Sequence, residues 1–222
     1  MWRKREVSTA LVCLAVGSVG QLVQFLVSPV SSAGTAADNV AAAAAAPGRM
    51  EAAAWLDLTI LFFVPVVVLL GYFAGARTTK LGWVATLIAV ATTLPGVAYV
   101  LAPDPMYLAG IPASGIQAYT EQGVVSASTL LFLVGHVLGL VLLGIALWRA
   151  GRLPRWAGVC LALYPFAEIG GTAAGVRPVT VVGYLLLTAT CAAGAAALVR
   201  TAGDRTAQVS APDVAAVPSS GH

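Results

Sequence analysis

Residues 124–155 read VVSASTLLFLVGHVLGLVLLGIALWRAGRLPR. The first 25 of them, 124–148, contain no Asp, Glu, Lys or Arg, and His136 is their only titratable side chain. An α-helix needs about 20 predominantly apolar residues to cross the hydrocarbon core of a bilayer. Arg149, Arg152 and Arg155 follow at once, as basic residues do in turns at a membrane surface. This stretch therefore predicts a transmembrane helix that ends in a basic turn.

The same pattern recurs along the chain. Of its 222 residues 59% are hydrophobic and 9% charged, with a mean hydropathy of +0.89, whereas soluble domains carry about 25% charged residues. We expect an all-α fold, a polytopic transmembrane bundle of six helices formed by residues 1–202. The six apolar runs cover roughly residues 8–30, 54–75, 81–102, 124–148, 154–174 and 178–199.

The segments between and after these runs have a different composition. Residues 31–53 are rich in Ala, Gly and Ser, so we expect this linker to contribute little to the bundle. Residues 103–123 contain three prolines and several turn residues. Residues 203–222 are rich in Ser, Pro and Ala without an apolar period, which predicts a disordered cytoplasmic tail.

The basic residues predict the orientation. Ten of the 12 Lys and Arg residues fall on one side of the predicted membrane, and only Arg49 and Arg177 fall on the other. The side with more Lys and Arg faces the cytoplasm, so we expect both termini inside and the protein in the plasma (inner) membrane. The ten are Arg3, Lys4, Arg5, Arg77, Lys80, Arg149, Arg152, Arg155, Arg200 and Arg205.

The first apolar run has a second interpretation. Arg3-Lys4-Arg5, the run itself and then Ser31-Ser32-Ala33 have the order of a cleaved signal peptide. The run is longer than the usual apolar core of such a peptide, about 7–15 residues, and it contains Gln21 and Gln24. Both interpretations leave the orientation of the later runs unchanged.

Five polar residues in the apolar runs form the candidate site: Gln21, Gln24, Asp57, His136 and Glu168. Ionisable groups in hydrocarbon are costly, so they normally face the bundle interior and have partners. Counting from the turn near Gly151 and Arg152 at about 1.5 Å per residue places His136 and Glu168 at nearly equal depth. We therefore expect these two side chains to hydrogen-bond directly or through one water, with Gln21 and Gln24 in the same layer.

Asp57 differs from the other four because it lies only a few residues inside the predicted outer boundary. There we expect it to be an interfacial residue at the start of a helix, favoured by the helix dipole and reachable by water. For the His136–Glu168 layer two interpretations stay open. It either fixes the register of the helices or carries protons or cations.

Several chemistries lack their residues in this sequence. Membrane haem with paired histidines and three-histidine metal sites both need more histidines than His136 and the terminal His222. The sequence has no glycine-rich phosphate loop and no HExxH motif, and no nucleophile and base have a suitable spacing. We expect no cofactor, no metal and no catalytic residue. The short basic clusters between apolar runs indicate topology and no nucleic-acid partner.

The stretch from Gly135-His136 to Trp148-Arg149, with Pro154-Arg155-Trp156 after it, resembles uncharacterised multi-span membrane proteins of high-GC, actinobacterial-type bacteria. This resemblance implies no activity. Two functions are therefore predicted from the residues alone. One is a non-catalytic membrane subunit or assembly protein that contacts the lipid bilayer and binds another membrane protein or a second copy of itself. The alternative is a small proton- or cation-coupled transporter that uses the Glu168–His136 pair.

Overall fold

The computed structural model describes residues 4–31, 33–75 and 79–210, the side chains of residues 4, 79, 95–101 and 203–210 excepted. This part of the chain is helical and contains no strand. Its helices are α1 (Lys4–Val27), α2 (Ala36–Ala45), α3 (Pro47–Asp57), α4 (Phe63–Ala74), α5 (Thr79–Leu101), α6 (Pro103–Leu108), α7 (Ala113–Thr120), α8 (Gly123–Ala150), α9 (Arg155–Ala173) and α10 (Arg177–Ser210). A 3₁₀ turn, Leu58–Phe62, joins α3 to α4.

Four helical segments are long and apolar enough to cross a membrane, judged by length and composition: Arg5–Val27, Pro47–Ala74, Gly123–Ala150 and Arg177–Ala202. The described apolar part of α5, Lys80–Leu94, is shorter. Helix α9 has 19 residues, among which Glu168 and Pro165 lower the hydropathy. The all-helical expectation is therefore confirmed, and four of the six predicted runs meet the criteria for a span.

The long helices form a closed ring in which each packs against its neighbours. The order around the ring is α5, α8, α9, α10, α1, α4 and back to α5. Helix α4 also contacts α8 and α10, and its Val66 and Leu70 are completely buried. The core therefore centres on α4.

Local sequence explains where the helices begin and end. Gly151 ends α8 with φ +64°, a left-handed conformation that glycine adopts without steric cost. Pro154 then precedes α9. The 3₁₀ turn lies just before Pro65, whose ring removes one backbone donor and crowds the carbonyl four residues earlier. Tightening of the helix at this point is a common response to such a residue.

The two ends of the bundle differ in charge. The basic end carries Arg5, Arg149, Arg152 and Arg155, and Val7 of α1 and Leu198 of α10 line one cavity there. At the opposite end Arg49 Nε donates to Val27 O (3.1 Å) and Arg177 donates to Phe25 O (3.2 Å). We call this the cap end, because α2, α3, α6 and α7 pack against one another over it.

The linker 31–53 was predicted to contribute little, and this is wrong. It forms α2 and most of α3, and Met50 and Ala53 are buried to 1% and 0% exposure. Its alanines form helix because a capping box starts α2, in which Thr35 and Asp38 each bind the other's backbone N–H. Small residues then allow the helices of the cap to approach closely.

Other sequence-based predictions concern the chain termini and the turns. Helix α10 continues to Ser210, so residues 203–210 of the predicted disordered tail are helical. Residues 211–222 lie outside the described residues, as do Arg3, Ser32 and Arg77 and the side chains of Lys4 and Arg205.

Candidate functional site

His136 lies in the middle of the bundle and is 4% exposed. Aromatic rings surround it. The ring centroid of Phe63 is 5.5 Å away, that of Phe132 5.0 Å and that of Tyr164 5.6 Å. Neither ring nitrogen of His136 has a hydrogen-bond partner among the residues that the structure describes. A buried donor or acceptor without a partner costs about 1–3 kcal/mol. Packing against the three aromatic rings, and not hydrogen bonding, therefore holds the histidine in place.

The direct hydrogen bond predicted between His136 and Glu168 is therefore not formed. Counting residues along two helices estimates depth but not the direction in which a side chain points. Glu168 lies on the side of α9 that faces α10, where a Cβ built on Gly183 would be 2.7 Å from the Glu168 backbone nitrogen. Tyr164, one turn earlier on α9, contacts the histidine instead.

Glu168 is half-buried and belongs to a different group of side chains. It lies one turn after Tyr164 on α9 and packs against Gly183, the neighbour of Tyr184 on α10. The rings of these two tyrosines are 6.2 Å apart, and Phe25 lies 5.5 Å from Tyr184. The aromatic rings thus connect the histidine on α8 with α9, α10 and α1.

The two glutamines bind at the junction of α3 and α4 and not at the histidine. Gln21 Nε2 donates to Thr59 Oγ1 (3.0 Å), and Thr59 Oγ1 donates to Leu56 O (2.6 Å). Gln24, one turn further along α1, hydrogen-bonds the side chain of Asp57. The two glutamines, which were expected in the layer of His136 and Glu168, therefore contact the span that contains Asp57.

Asp57 was predicted to be an interfacial residue at a helix start, and this is wrong. It is the last residue of α3 and only 3% exposed. The reason is that α6 packs against α3, which covers the position where water was expected. A carboxyl group of α6, that of Asp104, meets Asp57 there.

Asp57 and Asp104 form the least expected feature of the molecule. Asp104 is 7% exposed, and the two carboxyl groups lie within hydrogen-bonding distance of each other. Oδ2 of each has no donor among the described residues. Two buried carboxylates cannot both be ionised at such a separation without strong repulsion. A single proton held between them would remove this repulsion and supply a hydrogen bond.

Burial raises the pKa of Asp104 above its ordinary value, and the hydrogen bond with Asp57 lowers it in part. The two arginines of the cap end contact other groups. Arg177 donates to Phe25 O and lies 5.3 Å over the Phe25 ring, and Arg49 donates to Val27 O. Within the described part of the chain, neither aspartate has a cationic partner.

Sequence reasoning missed Asp104 because it treated residues 103–123 as turns. Pro103 and Pro105 flank the aspartate, and proline breaks a helix interior. Proline is nevertheless favoured in the first helical turn, where its missing N–H is not needed, and an aspartate there matches the helix dipole. Pro103 occupies this position in α6. That signal alone would have identified a helix start carrying a carboxylate.

The pair of carboxyl groups limits the chemistry that the site offers. Over the described ranges, no group of three or more His, Cys, Asp and Glu side chains is placed to hold a metal ion. Asp57, Asp104 and Gln24 together offer carboxyl oxygens and an amide, which suit a proton or a weakly held cation. No protein family, no curated protein and no solved structure matches this chain.

Proposed function

We propose that this is a six-span protein of a bacterial plasma membrane with both termini in the cytoplasm. Helices α5 and α9 add two passes to the four segments that meet the criteria for a span. Val7 and Leu198 line the same cavity, as an even number of passes requires. The excess of Lys and Arg at this end supports a cytoplasmic location.

Reporter fusions test this topology. A fusion after Arg152 or at the end of α10 should read as cytoplasmic, and one within α2 should read as external. A fusion at the end of α10 that reads as external would overturn the proposal, because the proposal places the C-terminus in the cytoplasm.

We also propose that the protein is a small proton- or cation-coupled membrane protein whose site is the Asp57–Asp104 pair with Gln24. The observation that carries this proposal is the burial of two facing carboxyl groups whose Oδ2 atoms have no partner, and which have no basic neighbour, among the described residues. The sequence had suggested Glu168 and His136 for this role. Since those two side chains do not contact each other directly, the aspartate pair replaces them.

The two aspartates are costly to bury, and this cost supports the proposal. Ionisable groups within a membrane protein are expensive, and they commonly mark proton or ion pathways. A non-catalytic membrane subunit would gain more stability from apolar residues of similar size at these positions, since such replacements of buried ionic groups are often stabilising. A pair that shares one proton can release it when a cation arrives or when the cap moves away.

Purified protein in liposomes that contain a pH-sensitive dye tests this function. Imposing a Na⁺ or K⁺ gradient should move protons across the membrane in the unaltered protein. Asp57→Asn should abolish this movement, and Asp38→Asn, which changes an exposed aspartate of the same end, should preserve it. A flat signal from the unaltered protein under every gradient would favour the membrane-subunit function. Equal activity of Asp57→Asn would exclude the pair.

A further inference from the structure

The basic end of the bundle contains a cavity of about 270 Å³. Its floor is apolar and comes from three helices, with Val7 of α1, Phe73 of α4 and Leu198 of α10. Arg152, from the turn between α8 and α9, stands at its edge. The cavity is therefore a cleft between helices at the level where a bilayer would have its headgroups, and we call it the Arg152 cleft.

Arg152 differs from the two arginines of the cap end. Arg49 and Arg177 donate hydrogen bonds to backbone carbonyls of α1. The Arg152 guanidinium lies 5.7 Å over the Tyr72 ring, and no hydrogen bond or ion pair joins it to another described residue. Stacking on the ring fixes the plane of the guanidinium while leaving its N–H donors available.

The combination of a planar cation and an apolar floor restricts the ligand. A guanidinium offers paired donors that match two oxygens of a phosphate. Val7 and Ala197 are partly exposed in the cleft and present hydrocarbon beneath it, over the buried side chains of Phe73 and Leu198. Free phosphate is fully hydrated and gains nothing from such a floor. A phospholipid gains from both parts, because its phosphate is joined to glycerol and acyl chains.

We propose that the Arg152 cleft binds the phosphate of an anionic phospholipid headgroup, with the glycerol and upper acyl carbons against Val7 and Ala197. Basic pockets between transmembrane helices on the cytoplasmic side bind such headgroups in other membrane proteins. This binding is independent of the aspartate pair, which lies at the opposite end of the bundle.

Native mass spectrometry of the full chain with mixed lipids tests the proposal. The unaltered protein should retain one phosphatidylglycerol in preference to phosphatidylcholine. Arg152→Ala should weaken this retention at least about tenfold, which corresponds to about 1.4 kcal/mol. Arg155→Ala is the matched control, because Arg155 lies in the same turn but stacks on Trp148 (5.8 Å), outside the cleft.

A second variant tests the cavity without changing its charge. Ala197 lines the cleft, and Ala197→Leu should fill it and displace the lipid while Arg152 is kept. All three variants should melt as the unaltered protein does in phosphatidylcholine nanodiscs. Equal retention of the two lipids, or equal losses in Arg152→Ala and Arg155→Ala, would overturn the proposal. Binding of inorganic phosphate without selective lipid retention would assign the cleft to free phosphate and overturn it as well.

Discussion

The two ends of this bundle connect its long helices in different ways. At the basic end the turn between α8 and α9 spans only a few residues, with Gly151 in a left-handed conformation and arginines exposed around it. At the cap end two long connections fold into α2, α3, α6 and α7, which bury Met50, Ala53 and Asp104. The first end is organised by charge and turn chemistry, and the second by packing.

This difference explains which features of the fold could be predicted from the sequence. Charge and hydropathy are local quantities, so they predicted an all-helical chain with long apolar helices, of which four are long and apolar enough to cross a membrane. Alanine-rich and proline-rich connections carry little hydropathy signal, although alanine has the highest helix propensity. Whether such a connection packs depends on the partner surface that the rest of the bundle offers. The structure of the cap therefore could not be predicted from the hydropathy and charge of short stretches of sequence.

The cap's contribution to stability gives the largest expected effect. Deleting Ala41–Ala46 removes more than one turn of α2, including Ala43, which is 5% exposed. We expect a large loss of melting temperature in nanodiscs, because α2 packs against α3, α6 and α7. The control is Arg155→Ala at the basic end, which should leave the melting temperature unchanged. An unchanged melting temperature after the deletion would restore the sequence-based expectation that this connection is dispensable.

Two residues of one helix sharpen the comparison. Met50 and Trp55 both belong to α3, but Met50 is 1% exposed and Trp55 is 69% exposed. Met50→Ala should destabilise the protein by about 2–5 kcal/mol, as truncation of a buried side chain does. Trp55→Ala should lower the free energy of unfolding by no more than about 0.5 kcal/mol. Equal losses in denaturant unfolding would mean that α3 does not pack as described.

The pH dependence of stability distinguishes two aspartates of the cap end. Burial raises the pKa of Asp104, so the folded protein binds its proton more tightly than the unfolded chain does. Stability should therefore fall as the pH rises above about 4, the ordinary value for aspartate, by up to about 1.4 kcal/mol per pH unit. Asp104→Asn should flatten this dependence. The groups that face Asp104 are the carboxyl of Asp57 and, beyond it, Gln24.

Asp38 should have the opposite effect on the pH dependence of stability, because its hydrogen bonds with Thr35 lower its pKa. The stability that it contributes is present above the ordinary aspartate value and is lost as the pH falls through the lowered one. Melting temperatures of Asp38→Asn across the acidic range check this. If both variants changed the pH profile in the same direction, the assignment of the two carboxyl environments would be wrong.

The candidate site was predictable only in part. All five polar residues singled out from the sequence lie in helices, and Gln24 does bind Asp57. The direction in which Glu168 points depends on the close contact of α9 with Gly183, which no count of residues along a hairpin reveals. The partner of Asp57 lies 47 residues further along the chain, on a helix that the sequence did not predict.

The central claim is that Asp57 and Asp104 share a proton in the folded protein. Infrared spectroscopy of the protein in nanodiscs tests it directly, because protonated carboxyl groups have a C=O stretching band that carboxylates lack. The unaltered protein should have such a band at neutral pH, and the double variant Asp57→Asn/Asp104→Asn should lose it. Glu168→Gln should keep it. A spectrum in which the double variant has the same carboxyl band as the unaltered protein would contradict the account.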